Sequence, residues 1–293
     1  MAKVGLVTVL YKSDDVLEGF FQSLSVQTFK DYHLYLIDNS PGAETDAVVN
    51  QLLNKYPICH ITHIKNPGNY GVAKGNNQGI ELALKDNSAY VVLLNNDIDF
   101  PQDFLLADMV KCAEEKNEAV IIPKIFYHGT RTIWMAGGTM LKYKGYTGHV
   151  GDNQQDTEAF NKEGYFDYAP TCFMLLNSKV FDKVGLMDEK YFVYYDDTDF
   201  VVRLIKAGYK IFYMPTLEVF HKVSSSTGGG ESLFSIYYLN RNRVYFIRKN
   251  YSFPVKQVAL AYTVLTRGLR YLHYKQDQKK EMFRGFKDGF SIT

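Results

Sequence analysis

Apolar residues in the first third of the chain fall in short unbroken runs, separated by stretches with helical spacing. Val4-Gly5-Leu6-Val7-Thr8-Val9-Leu10 reads as a strand buried on both faces, and from Asp14 to Gln27 the residues Val16, Phe20, Phe21 and Leu24 recur at a helical interval. His33-Leu34-Tyr35-Leu36-Ile37 is a second apolar run, ending in the polar turn Asp38-Asn39-Ser40-Pro41-Gly42. The pattern then predicts a helix over Asp46–Lys55, a strand at His60–Ile64, a turn at Asn66–Gly71, a helix over Ala73–Leu84 and a strand at Tyr90–Leu94. Alternating β and α elements with fully apolar strands predict an α/β fold, a mostly parallel sheet with helices on both faces and ligands at the carboxyl ends of the strands. Asp38, the Asn66–Asn77 loop and Asp97 all fall at such ends.

From Ile121 to Lys179 the texture changes. Gly137-Gly138, Gly145, Gly148, Gly151 and many tyrosines predict short antiparallel strands and loops, a surface suited to an acceptor. After Ser232 a helical segment with Tyr237, Tyr238, Arg241, Asn242, Arg243 and Phe246 leads into a basic tail. The expected organisation is a domain over 1–230, divided into halves at 1–120 and 121–230, with a helical extension over 231–293.

Composition narrows the function classes. Among 293 residues, 33 Lys and Arg balance 32 Asp and Glu for a net charge of +1, which argues against nucleic acid as a partner. The N-terminus passes directly from Met1-Ala2-Lys3 into a strand, and no stretch reaches about 18 uninterrupted apolar residues. The expected location is therefore the cytoplasm. Cys59, Cys112 and Cys172 show no metal-ligand or redox spacing and read as buried small hydrophobes.

The chemistry concentrates in carboxylates. Asp97 and Asp99 follow the strand Tyr90–Leu94, and in an extended segment both would face one side and suit a hard divalent cation; an ordinary polar turn has the same composition. Asp196 and Asp197 stand before an amphipathic helix and repel each other unless a cation or a proton lies near, so one is a candidate general base. Asp199 reads as an i,i+4 partner of Arg203. His221 ends the apolar run Leu217–Phe220 and precedes the hydroxyl- and glycine-rich stretch at 224–230, which reads as a lid over a phosphate pocket.

The order of these motifs resembles the bacterial family 2 glycosyltransferases, which have the GT-A fold. The matching residues are Thr8-Val9-Leu10-Tyr11, Asp38-Asn39-Ser40, the stretch from Asn66 through Gly79, Asn95-Asn96-Asp97-Ile98-Asp99, Val184 through Phe192, Asp196-Asp197-Thr198-Asp199-Phe200 with Arg203 and Gly208, and His221. The resemblance implies an inverting transfer of a sugar from a nucleotide-diphosphate donor. It assigns donor binding to Thr8, Leu10, Tyr11, Asp38, Asn66, Asn69, Gly71, Lys74, Asn77, Asn96 and Asp97, with Asp38 near the base and Asp97 near the ribose or diphosphate. It assigns Mg2+ or Mn2+ to Asp99 and His221, the catalytic base to Asp197, and to Asp196 a role in shaping the site or binding acceptor. Asp196 replaces the Glu the family often has before its base, and Thr171-Cys172 departs from the usual acceptor-side strand.

The Asn-rich loop, the Asn-Asn-Asp-Ile-Asp variant and Tyr237-Tyr238-Leu239-Asn240-Arg241-Asn242-Arg243 are most similar to rhamnosyltransferases of surface polysaccharide assembly. That similarity implies a dTDP- or UDP-linked donor and a growing glycan or lipid-linked glycan as acceptor. Residues 249–287 carry nine Lys or Arg against Asp277 and Glu281, interleaved with aromatics. This suits either peripheral contact with the inner face of the cell membrane or a solvated helical pair closing the domain. Two rival functions are a sugar-phosphate nucleotidyltransferase, for which Tyr11-Lys12-Ser13-Asp14 offers little triphosphate-binding character, and a non-catalytic nucleotide-sugar-binding scaffold, which would not need Asp197.

Overall fold

The computed structural model describes residues 3–223 and 231–293; the expected lid at 224–230 and residues 1–2 lie outside the described residues. The chain begins with β1 (Val4–Leu10), α1 (Leu17–Ser25), β2 (Tyr32–Asp38), α2 (Glu44–Lys55), β3 (Ile61–Lys65), α3 (Val72–Lys85) and β4 (Tyr90–Leu94). It continues through β5 (Ile98–Asp99), α4 (Leu105–Lys116), β6 (Val120–Tyr127), β7 (Thr132–Met135), β8 (Gly138–Leu141), β9 (Tyr146–His149), β10 (Gln154–Gln155), β11 (Gly164–Phe166) and β12 (Phe173–Asn177). Next come α5 (Lys179–Val184), α6 (Asp196–Lys206) and β13 (Ile211–His221), followed by α7 (Leu233–Asn250), α8 (Val255–His273) and α9 (Gln276–Ser291).

Strands β3, β2, β1 and β4 lie side by side in that order and run parallel. This is the βαβ half that the apolar runs predict: all of β1 except Val9 is buried, and α1 buries Phe20, Phe21 and Leu24 against the sheet. Each of those side chains contributes about 1.5–3 kcal/mol by leaving water. Beyond β4 the direction reverses. β12 runs antiparallel to β4 and β6, and β6 antiparallel to β7. β13 returns parallel to β6, so this region is mixed rather than a set of short antiparallel strands. β8 and β9 form a separate hairpin.

The helical extension divides in two. α9 packs on α7 so closely that a Cβ on Gly285 or Gly289 would lie 2.5 Å from the carbonyl oxygen of Tyr237 or Arg241 respectively. Tyr237 also donates to Asp288 (2.7 Å). α8, by contrast, buries only Ala259 and Thr263. Among the described residues no helix is long and apolar enough to cross a membrane. Cys112 and Cys172 are buried as expected; Cys59 is exposed, because it stands in the polar turn before β3.

Candidate active site

A cavity of about 590 Å³ opens at the carboxyl ends of β1, β2 and β4. On the sheet side its wall is Val9, Tyr11, Asn39, Leu94, Asn95, Asn96 and Asp97. Asn69, Gly71, Val72 and Asn76 add the start of α3, and Thr171, Phe192, Val193, Phe234 and Tyr238 close the far side.

The glycine at 71 is needed for two reasons. Its φ is +82°, and a Cβ there would lie 2.4 Å from the Phe192 carbonyl oxygen, which accepts from Val72 N–H (2.7 Å). The first turn of α3 is thereby tied to the opposite wall.

Asn96 Nδ2 donates to the Val9 carbonyl (2.9 Å) and Ser13 Oγ (2.8 Å), which pins the turn after β4 to the end of β1. Asp97 lies in that turn, buried, with Oδ1 3.2 Å from His221 Nε2. Burial works against its ionisation, but the His221 contact together with hydrogen bonds from the backbone and Asn95 holds the Asp97 carboxyl below its usual range.

Asp99 does not join them. Because the chain turns at residues 96–97, the alternation expected of an extended Asp-x-Asp is lost. Asp99 instead meets Lys222 Nζ (2.9 Å) and His128 Nε2 (2.8 Å) in a separate hollow with Gly19 and Gln22. The carboxylate facing His221 is Asp97, while Asp99 lies with Lys222 and His128.

His221 begins a run of rings. Trp134 meets it edge to face at 4.6 Å, His149 meets Trp134 at 4.5 Å, and Tyr168 stacks on His149 at 6.1 Å. His149 Nδ1 contacts the Trp134 carbonyl oxygen (3.1 Å), and burial lowers the pKa of the imidazole. At the far end Tyr168 donates its O–H to Asp197 Oδ2 (2.8 Å).

Asp197 Oδ1 accepts from the Thr198 N–H (2.6 Å) and hydroxyl (3.1 Å), at the N-terminus of α6 where a carboxylate is favoured. Asp196 is buried, and burial with the neighbouring Asp197 charge pushes its pKa up to about 8. The raised pKa of Asp196 eases the repulsion expected from adjacent carboxylates. Tyr194 and Tyr195, just before them, have φ of 63° and 67°, a left-handed backbone costing about 1–3 kcal/mol per residue. The fold holds it there through Asn242 of α7, whose Nδ2 donates to the carbonyls of Val193 (2.7 Å) and Tyr194 (2.9 Å). Asp199 forms the expected pair with Arg203 (3.0 Å) and also meets Lys249 and Asn250.

Of the residues assigned to the donor, Tyr11, Asn69, Gly71, Asn96 and Asp97 line the cavity; Thr8, Leu10, Asp38, Asn66, Lys74 and Asn77 do not. Thr8 and Leu10 are buried in β1. Asn66 bonds Asn39 and Gln78 (2.8 Å each), and Asn77 brackets Met187 through its backbone N–H and carbonyl. Lys74 lies over the Tyr70 ring at 4.4 Å. Asp38 Oδ1 accepts from Ser40 N–H (2.7 Å), and His63 stands 3.7 Å from Oδ2. Asp38, Asp46 and His63 bring potential ligand atoms within 4.8 Å of one another, but Lys65 already neutralises Asp46.

Asn39 and Asn76 sit in motifs visible in the sequence, one position from residues assigned to the donor. Phe192 and Tyr238 also sit in motifs singled out above, but nothing local pairs them, because their rings meet (5.3 Å) only when α7 folds back over the loop before α6.

The family model described as "Glycosyl transferase family 2" matches residues 6–185. The low-salt glycan biosynthesis hexosyltransferase Agl10 of Haloferax volcanii is 23% identical over 268 residues, 90% of this chain and 80% of that protein. The rhamnosyltransferase WbbL of Escherichia coli K12 is 23% identical over 243 residues, 79% of this chain and 87% of its own. In fold, the chain is similar to the mannosyltransferase PcManGT of Pyrobaculum calidifontis, solved with GDP-Man and Mn2+, with a TM-score of 0.60 at 13% identity over 99% of this chain and 86% of that one. With the family model matching more than half of its length, and with the parallel half and cavity described above, the chain belongs to glycosyl transferase family 2 and has the GT-A fold.

Proposed function

We propose that this family 2 glycosyltransferase is a metal-dependent inverting enzyme that moves a sugar, rhamnose in the first instance, from a dTDP- or UDP-linked donor to a glycan or lipid-linked glycan. The observation that carries this reading is the connection of two carboxylate stations by one run of rings: Asp97–His221 at the cavity and Asp197 beyond Tyr168. Residues 1–120 would hold the donor, 121–230 the acceptor, and 231–293 would brace the loop before Asp196.

The donor set at Asp97 suits a divalent cation. A buried carboxylate faces an imidazole, and the other ring nitrogen of His221, Nδ1, is buried without a hydrogen-bond partner among the described residues. Asp99 is a poorer ligand because Lys222 and His128 already occupy it. Asp97 and His221 would hold Mg2+ or Mn2+, which when bound neutralises charge growing on the departing diphosphate. PcManGT, with GDP-Man and Mn2+ in its solved complex, supports that combination for the fold.

The chain's own residues supply the rest. Asn69, Asn76, Asn95 and Asn96 present amides to a ribose or diphosphate, and Tyr11 presents a ring to the base. Asp197 takes the proton from the acceptor hydroxyl as that oxygen bonds to the anomeric carbon on the face opposite the breaking bond, and the nucleotide diphosphate leaves with the bonding pair. Asp196, pushed toward its protonated form by burial and by the neighbouring Asp197 charge, is less suited to be that base.

Proton NMR of donor turnover tests this. Release of nucleoside diphosphate only in the presence of acceptor, with an anomeric configuration opposite to the donor's, is expected. Pyrophosphate formation from a nucleoside triphosphate and a sugar phosphate would instead establish a nucleotidyltransferase, and binding without turnover a scaffold.

A further inference from the structure

α8 leaves an apolar face uncovered. Val258, Leu265, Leu269 and Leu272 share one side of the helix, with exposures of 46%, 66%, 61% and 72%, and Val264 flanks them at 55%. Phe253, just before the helix, is 78% exposed. A face of this extent on a surface helix calls for an occupant. The helix lies along the turn Lys142–Lys144, all three residues of which are exposed, including Tyr143 at 60%.

Charge selects among the occupants. Lys142 and Lys144 of the turn and Arg270 of the helix are exposed cations flanking the stripe, and neither the turn nor the helix contains an Asp or Glu. A second copy docked on the same face would bring like charges together, whereas an anionic lipid surface meets both the apolar stripe and the cations. We propose that α8, with the 142–144 turn, is a membrane-docking face that inserts Phe253, Val258, Leu265, Leu269 and Leu272 among the lipids and sets Lys142, Lys144 and Arg270 at anionic headgroups. α7 and α9 close the domain and α8 meets the bilayer, so the tail serves both purposes in different helices.

The position suits a reaction at a membrane. Tyr195, immediately before Asp196, donates its hydroxyl to the Gly145 carbonyl (3.1 Å) at the end of the 142–144 turn. Arg243 of α7 lies over Tyr262 of α8 (5.8 Å) and donates to the Lys144 carbonyl. The docked face and the acidic pair are thus joined through one turn, and a lipid-linked acceptor would emerge on the Asp197 side. This last point rests on the proposed transfer reaction; the docking does not.

Flotation of the full chain with phosphatidylcholine vesicles containing about one-third phosphatidylglycerol tests the docking, with nucleotide titration run in parallel as a fold control. Binding is expected to weaken about tenfold on pure phosphatidylcholine and in about 0.5 M salt. Leu265→Gln with Leu269→Gln is expected to abolish flotation while leaving nucleotide affinity and Tm unchanged. Absence of flotation by the native chain would overturn the proposal, as would equal binding to both vesicle types. Sedimentation as a dimer that the double variant converts to monomer would also overturn it, by giving the face to a second copy. None of these outcomes depends on sugar transfer, so docking and catalysis fail separately.

Discussion

On the parallel side of the cavity almost every lining residue lies at or just beyond a strand end or within the first two turns of α3: Tyr11 after β1, Asn39 after β2, Asn95 to Asp97 after β4. Across from it, Phe192 and Val193, and the Asp196–Asp197 pair that follows them in the chain, sit where they do because side chains distant in sequence hold them. Tyr168 fixes Asp197, Asn242 ties down the two carbonyls before a left-handed tyrosine pair, and Tyr238 stacks on Phe192. One wall is a property of strand ends; the other is a product of tertiary contacts. A residue on the first side acts through its own position, whereas a carboxylate on the second depends on supports about 30 to 50 residues away.

The largest expected effect falls on the carboxylate pair that follows the second wall. Asp197→Asn should lower transfer by about 10²–10⁴-fold with donor affinity retained. Initial rates with labelled donor check it, and near-native turnover would remove Asp197 from the role of base.

Across the cavity, His221→Ala should weaken metal-supported donor binding about a hundredfold, since a cation's stabilisation of a diphosphate is worth several kcal/mol. Asp99→Asn should leave that affinity within about twofold and cost about 1 kcal/mol of stability or less, through its ion pairs with Lys222 and His128. Equal losses in the two variants would erase the distinction between Asp97 and Asp99.

Two substitutions probe the supports. Gly71→Ala should destabilise the fold by about 1–3 kcal/mol, from the positive φ and the clash with Phe192, measured by urea unfolding. Tyr168→Phe removes one hydrogen bond to a carboxylate, of order 1.5 kcal/mol, so kcat should fall about tenfold with KM unchanged. A change in KM alone would mean that Tyr168 is not a support of Asp197.

The smallest effect is a pH dependence. Below about pH 4 both folded and unfolded chains keep the Asp196 proton; between there and about 8 only the folded chain does, so its stability falls as pH rises through that window. Asp196→Asn should flatten the slope and raise Tm relative to the native chain above pH 8, with no gain at pH 4. Parallel Tm profiles for the two proteins would contradict a protonated Asp196.

The same contrast explains what was legible in the sequence. The parallel half was, because its buried strands leave uninterrupted apolar runs and its turns follow directly; Tyr11, Asn69, Gly71, Asn96 and Asp97 reach the cavity as expected. The Asn-rich loop was half legible. Asn66 and Asn77 bond other side chains and backbone groups of the fold, and whether a polar residue faces a ligand or satisfies the fold is decided by partners far along the chain. Asp99 parts from Asp97 for a local reason, the turn at 96–97 that breaks strand alternation. Phe192 and Tyr238 stood in visible motifs without showing that they pack together, and in the tail periodicity marked an apolar stripe without telling what covers it.

The central claim is that Asp97 and His221 form a metal-assisted station for a nucleotide diphosphate. Calorimetric titration of the full chain with UDP, dTDP and GDP, each with Mn2+ and with EDTA, tests it most directly. The account predicts binding of dTDP or UDP that EDTA abolishes and that His221→Ala does not recover with Mn2+. Binding that is equally tight in EDTA, or no binding of any of the three, would contradict it.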